Sequence, residues 1–267
     1  MHRPSTVTVL LASLVLGFLI LPNLIIIPVS FNPTEFYAFP PKGLSLRWYE
    51  RFFADARWTD ALLRSIRIGL ATAILSSILG VCAAFAFVRG RLPGQKLLTA
   101  AVMAPLVVPH VILAAGLFVL YVDLRLLQTE AGLILAHTLI ATPIVTVTVM
   151  VALRTLRRDL ELAAMSLGAG YSRTFFSVTL PQIAPGVWTG AIFAFVTSFD
   201  ETTITIFLAG VKSTTLPMKM WEGITVESNP ILPAASTILL VGSVVPLLLL
   251  ELHRRWRARR ATQSRAP

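Results

Sequence analysis

The sequence predicts an all-α membrane protein with six transmembrane helices, and three observations predict it. Of the 267 residues, 55% are hydrophobic and 13% charged, with a mean hydropathy of +0.77; an average soluble domain carries about 25% charged residues. A soluble core of this size needs a polar shell that such a composition cannot supply. The apolar residues also gather in long stretches suited to membrane helices rather than in the alternation expected of half-buried strands.

The stretches justify one helix each. The first, 7–29, exceeds a signal-peptide core of about 7–15 residues, and no small-x-small cleavage site ends it; it is expected to stay as an N-terminal transmembrane helix within 1–30. A segment at 31–65 lies outside the membrane. A five-helix transmembrane core over 66–252 then holds the stretches 66–88, 98–122, 132–153, 187–209 and 231–252, and a basic tail over 253–267 closes the chain. The six stretches have 22 to 25 residues each, enough to cross a hydrocarbon layer about 30 Å thick. Pro22, Pro105, Pro109, Pro143 and Pro246 fall inside them, as a helix bundle tolerates when neighbouring helices satisfy the freed backbone groups.

Charge sets the orientation. With both termini, the loop near Arg89–Lys96 and the loop 154–183 on one side, that side holds fourteen Lys/Arg against three acids, and the other nine against eight. The positive-inside rule makes the rich side cytoplasmic. The formal charge of +10 is therefore a topology signal carried by short loops and by Arg254, Arg255, Arg257, Arg259, Arg260 and Arg265, which argues against nucleic acid as the partner. Cys82 is the single cysteine, so an intrachain disulfide is excluded, and no Cys/His spacing suits a metal.

The loop 154–183 has a pattern of its own. Leu160, Ala163, Ala164 and Leu167 recur at i, i+3, i+4 and i+7, one face of a short amphipathic helix. Gly168 permits a helix end or a positive φ. A second short helix is expected over 172–179, stopped by Leu180-Pro181. Two such helices need either a groove on a partner protein or the membrane surface.

These residues carry a resemblance. The family pattern of the EAA loop in inner-membrane permeases of binding-protein-dependent ABC importers is E-A-A, three residues, G, nine residues, I, one residue, L-P. Here Ala163, Ala164, Gly168 (followed by Ala169), Val178, Leu180 and Pro181 match in spacing; Leu162 stands at the glutamate position, with Glu161 one residue earlier. The segments 43–49, 194–201, 216–220 and 234–240 resemble the spermidine/putrescine-type branch, so the likeness covers nearly all the chain from about residue 40. The resemblance implies a type I ABC importer permease fold in the bacterial inner membrane, with the loop 154–183 as a coupling helix. It also implies two copies of a separate ATP-binding subunit, a second permease subunit forming a heterodimer, and a periplasmic solute-binding protein, with lipid around the spans. No enzyme activity and no cofactor of its own are expected: ATP is bound by the partner, and the chain lacks the G-x-x-x-x-G-K-[ST] phosphate cradle.

Asp200 and Glu201 are the only acids inside a predicted span, and a carboxylate there should face protein or water. On a continuous helix Ser198, Glu201, Thr202 and Thr205 form one polar stripe, expected to border a translocation path and to attract a cationic solute. Asp200 is offset toward a neighbouring helix. The competing structural reading has both acids holding a helix break or gate. His110 and His137 are expected as hydrogen-bonding helix contacts, Gly186 and Gly190 as a close-packing GxxxG pair, and Arg64 and Arg67 as snorkelling residues at the outer edge.

The solute expected is a polyamine or a related amine, with opines, amino acids and aminophosphonates behind. An ion-coupled secondary transporter is the alternative, but no internal repeat is visible and it leaves the loop unexplained. An intramembrane hydrolase would need a second aspartate, Ser with His, or H-E-x-x-H.

Overall fold

The long spans supply the frame. In the computed structural model, residues 5–35, 37–225 and 230–263 are described. Arg3 and Arg265 lie outside the described residues, as do the side chains of Arg254, Arg257, Arg259 and Arg260. Helix α1 is Thr6–Ser30, α2 Arg47–Ala54, α3 Ala56–Arg89, α4 Gln95–Met103, α5 His110–Asp123 and α6 Glu130–Thr155. They are followed by α7 Arg158–Ser166, α8 Tyr171–Thr174, α9 Leu180–Phe199, α10 Thr203–Leu208, α11 Leu216–Thr225 and α12 Leu232–Gln263. Among the described residues, five helical stretches are long and apolar enough to cross a membrane, or six if the bent pair 95–123 counts as one.

The centre is the triad α3, α6 and α9. Lipid tails are as apolar as leucine, so association within a membrane depends on close packing, which small residues allow. A Cβ on Gly80 would lie 2.7 Å from Val145, and one on Gly186 2.7 Å from the Cβ of Ala152. Gly190 meets the Thr148 hydroxyl in the same way, at 2.6 Å. The GxxxG pair thus seats α9 against α6. Ala84, Ala141, Val145, Val149, Leu153, Ile183 and Ala194 form the fully buried layer beside these contacts.

The outer segment is folded rather than slack. Trp48 and Phe52 of α2 pack with Trp58, Leu216, Ile231 and Leu232, and the Trp48 indole donates to the Asn32 carbonyl at 2.8 Å. Asp55 caps α3 by accepting from the Arg57 amide at 2.9 Å, so the second span begins ten residues before its apolar stretch. Arg64 and Arg67 do not simply snorkel. Both reach Glu130 Oε1, at 3.0 and 3.1 Å, and Arg64 also donates to the Thr214 carbonyl at 3.0 Å.

The third stretch, expected as one helix over 98–122, is two helices bent by 102°. A 3-10 turn at Ala104–Leu106 leads into the bend. Pro109 has no amide proton to continue the ladder and disfavours helical geometry at Val108, so the chain re-starts at His110. The pair is a broken span, not a re-entrant loop. Gln95 donates to the Phe87 carbonyl near the end of α3, whereas α6 starts at Glu130 beside the opposite end of α3. A chain that returned to its own side could not connect those two points.

Two further boundaries differ from expectation. Leu180-Pro181 does not stop a helix: 171–199 runs on as one span through a π-turn at Phe175–Thr179. The widened turn lets the Leu180 amide bond to Phe175 O, and Pro181 then occupies a first-turn position where its missing amide costs little. The predicted span 187–209 ends early, at Phe199, with α10 as a separate short helix.

Candidate functional site

Two groups of residues carry the chemistry, one at each level of the bundle. The first is the loop after α6. Helix α7 begins on Arg158 with Asp159 and Glu161 in its first turn, where carboxylates complement the helix dipole. Glu161 turns inward and is 7% exposed. Its Oε2 lies 3.1 Å from Arg89 Nε at the end of α3, and its Oε1 accepts from the Thr179 hydroxyl at 2.9 Å. One carboxylate therefore ties α7 to α3 and to the π-turn beneath α9.

Pinning Glu161 inward turns the other faces of α7 outward. Leu160 is 44%, Leu162 48% and Leu167 89% exposed; Ala163 is exposed and Ala164 half-buried. Gly168 has φ +88°, a left-handed conformation that lets the helix end and the chain turn toward Tyr171. Half-buried Ala169 extends the same edge between exposed Gly168 and Gly170, while Val178 and Leu180 are half-buried in the step from the π-turn to α9 and Pro181 is exposed. The result is a short helix with an apolar outer surface, held to the bundle by a buried ion pair.

The second group gathers where two broken helices meet. Helix α9 ends at Phe199 and α10 starts at Thr203, so Ser198, Glu201, Thr202 and Thr205 do not form one continuous stripe. The run Thr197-Ser-Phe-Asp-Glu-Thr-Thr203 supplies many side-chain oxygens that compete for backbone partners and weaken the helix locally. Glu201 Oε1 accepts the Ile204 amide at 2.9 Å, satisfying a donor at the start of α10. Its Oε2 sits 3.0 Å from Nδ1 of His110, the first residue after the bend in the third span. Glu201 is 6% exposed.

Below it, His137 of α6 is fully buried, with Nδ1 2.8 Å from Ser198 Oγ and Nε2 3.3 Å from Thr205 Oγ1. Ser198 also reaches Thr72 of α3 at 3.3 Å. Both histidines are helix contacts, and both were legible as such. The acids are distributed differently from the helical-wheel expectation. Glu201 and Ser198 face the interior, whereas Asp200 is exposed and Thr202 half-exposed. The reason is the break itself, which rotates the chain between Phe199 and Thr203. Sequence reasoning missed the His110–Glu201 pairing; the signal available was an acid at one helix interruption and a histidine following Pro109 at another.

Among the described residues no group of three or more His, Cys, Asp or Glu is arranged to hold a metal.

Residues 76–258 match the family described as binding-protein-dependent transport system inner membrane component. The chain is 36% identical over 236 residues to the putrescine transport system permease protein PotI of Escherichia coli K12, covering 85% of this chain and 84% of that protein. It is 29% identical over 241 residues to the spermidine/putrescine transport system permease protein PotC of Haemophilus influenzae, covering 90% and 93%. A chain of a bacterial ABC transporter involved in the import of the acidic polysaccharide alginate shares the fold, with a TM-score of 0.71, 14% identity and 94% of each chain covered. The residues matched by the family include α6, α9, the loop carried on Glu161 and α3 from Ser76 onward. The chain belongs to the inner membrane components of binding-protein-dependent transport systems.

Proposed function

We propose that this protein is one half of the membrane path of an ATP-driven importer for a small cationic solute of the polyamine class. In this reading α7 is the coupling helix: Glu161 anchors it, Ala163, Ala164, Gly168 and Ala169 shape its contact face, and Val178, Leu180 and Pro181 relay its position into α9. Its partners are two copies of an ATP-binding subunit, a second permease subunit as heterodimer, and the periplasmic solute-binding protein. Both termini face the cytoplasm. The observation that carries the proposal is the outward apolar face of α7, with Leu167 89% exposed, on a helix whose inner side is locked to α3.

The substrate class is supported by the names of PotI and PotC together with the exposed Asp200 carboxylate at the α9–α10 break. Fold alone does not choose a solute, since the same architecture serves an acidic polysaccharide importer. Asp200 and Thr202 line the open side of the path; Glu201, Ser198 and Thr205 border it from behind by holding the break.

The test is reconstitution with the ATP-binding and solute-binding subunits in proteoliposomes, following uptake of labelled putrescine. ATP-dependent uptake that falls at least tenfold in Asp200→Asn, with complex assembly intact, is the expected result. Uptake that follows an ion gradient and ignores ATP would replace the proposal with the secondary-transporter reading.

A further inference from the structure

A cavity of about 630 Å3 opens between the end of α3, α7 and the π-turn. It is lined by Phe85, Arg89, Arg158, Thr174 and Phe175 among others. A second, narrower cavity of about 360 Å3 runs along the membrane face of α3, lined by Val81, Cys82, Phe85, Ala86 and Phe175. The two share Phe85, Ala86 and Phe175, so they adjoin along α3. The first opens beside Arg89 and Arg158, and the second is lined by apolar side chains of α3 together with Phe175.

The polar end is built for an anion. Glu161 also lines it, but its two oxygens are taken by Arg89 and Thr179. Arg158 has no ion-pair partner among the described residues, and it is the charge left uncompensated at the rim. Thr174 is 5% exposed, and its hydroxyl has no hydrogen-bond partner among the described residues. A buried hydroxyl without a partner is destabilising, a penalty that a ligand oxygen would remove. The aromatic wall is fixed by Phe85 and Phe175, packed edge to face with centroids 5.6 Å apart.

We infer that these adjoining cavities bind an anionic phospholipid from the leaflet at the basic end, its phosphate at Arg158 and Thr174 and one acyl chain along Phe85 and Cys82. Cationic pockets between helices at a membrane surface take acidic headgroups by charge, and the apolar groove supplies area for the chain. The lipid would fill the space between α7 and the end of α3, beside Glu161 and Leu162. A partner protein side chain would not account for the apolar arm, which lies along α3 toward the bilayer.

The test uses the full chain in nanodiscs of phosphatidylcholine or of phosphatidylcholine and phosphatidylglycerol in equal parts, with retained lipid counted by native mass spectrometry. The expected result is retention of phosphatidylglycerol in preference to phosphatidylcholine. Arg158→Gln should lower it about fivefold, the share one cation supplies toward an acidic lipid, and Arg158→Lys should keep it. Thr174→Val should lower it as well, and Cys82→Trp, which fills the apolar arm, should do so without touching the charges. Equal retention of both lipids, or no response to Arg158→Gln, would overturn the inference. So would displacement by glycerol phosphate with indifference to Cys82→Trp, which would mark a site for a free anion. Helix content by circular dichroism identifies any variant whose loss is a folding failure, and the remaining substitutions then decide.

Discussion

At the scale of single residues, Asp200 and Glu201 are adjacent and do opposite things. Glu201 is consumed by the Ile204 amide and His110, so Glu201→Ala should lower thermal stability by about 1–3 kcal/mol, the cost of orphaning a buried donor. Asp200→Asn should leave the melting temperature of the purified chain unchanged while impairing uptake. If the two substitutions affected stability equally, the division of roles would fail. Outside the membrane, the side-chain hydrogen bond from Arg57 holds the Asp55 carboxyl below its ordinary range. A depressed carboxyl contributes stability above its ordinary pKa and loses it as pH falls through the lowered value. Acidification should therefore loosen the start of α3, and Asp55→Asn should remove that pH dependence, as amide exchange at Trp58 and Thr59 would report. The presence of an intramembrane acid pair was legible in the sequence. Which acid faces inward was not, because helical spacing assumes an unbroken helix and the break at 200–202 resets the rotation.

At the scale of elements, the close contacts decide what can be changed. Gly80 has room for no Cβ against Val145, so Gly80→Val should destabilise the α3–α6 pair by about 1–3 kcal/mol, as overpacking does. Thermal denaturation in detergent measures it; a neutral effect would mean that the helices separate freely. Gly168 differs: nothing lies within 4 Å of its Cβ position, but φ is +88°. Gly168→Asp should keep the spans folded and abolish substrate-stimulated ATPase activity, because the strain of about 1–2 kcal/mol falls on the turn that ends α7. Normal stimulation in that variant would count against the coupling role. The loop pattern and the GxxxG pair could be read from spacing alone. Two prolines were misread in opposite senses. Pro181 looked like a stop and is absorbed by a π-turn; Pro109 looked tolerable and bends the third span by 102°. Local sequence cannot distinguish these cases, since the outcome depends on whether a neighbouring carbonyl finds another donor.

For the whole molecule, the apolar stretches were enough to predict a helical membrane protein; the placement of both ends on one side is the expectation the charge asymmetry adds. The bent pair at 95–123 keeps that parity because it crosses from one end of α3 to the other. Single cysteines placed at Arg91 and at Lys212 in a Cys82→Ser background should therefore react from opposite faces of sealed vesicles. Labelling of both from the same face would refute the crossing.

The long second span has a mechanical consequence. With 34 residues, α3 is about 51 Å from end to end. Arg89 clasps the anchor of α7 at one tip, Arg64 and Arg67 clasp the start of α6 near the other, and Gly80 rests on Val145 between them. That is a lever with a fulcrum and two grips. Pivoting on Gly80, a tilt of about 5° would move the Arg89 tip through about 1 Å and the far tip through about 3 Å, so the longer outer arm amplifies what the α7 end does.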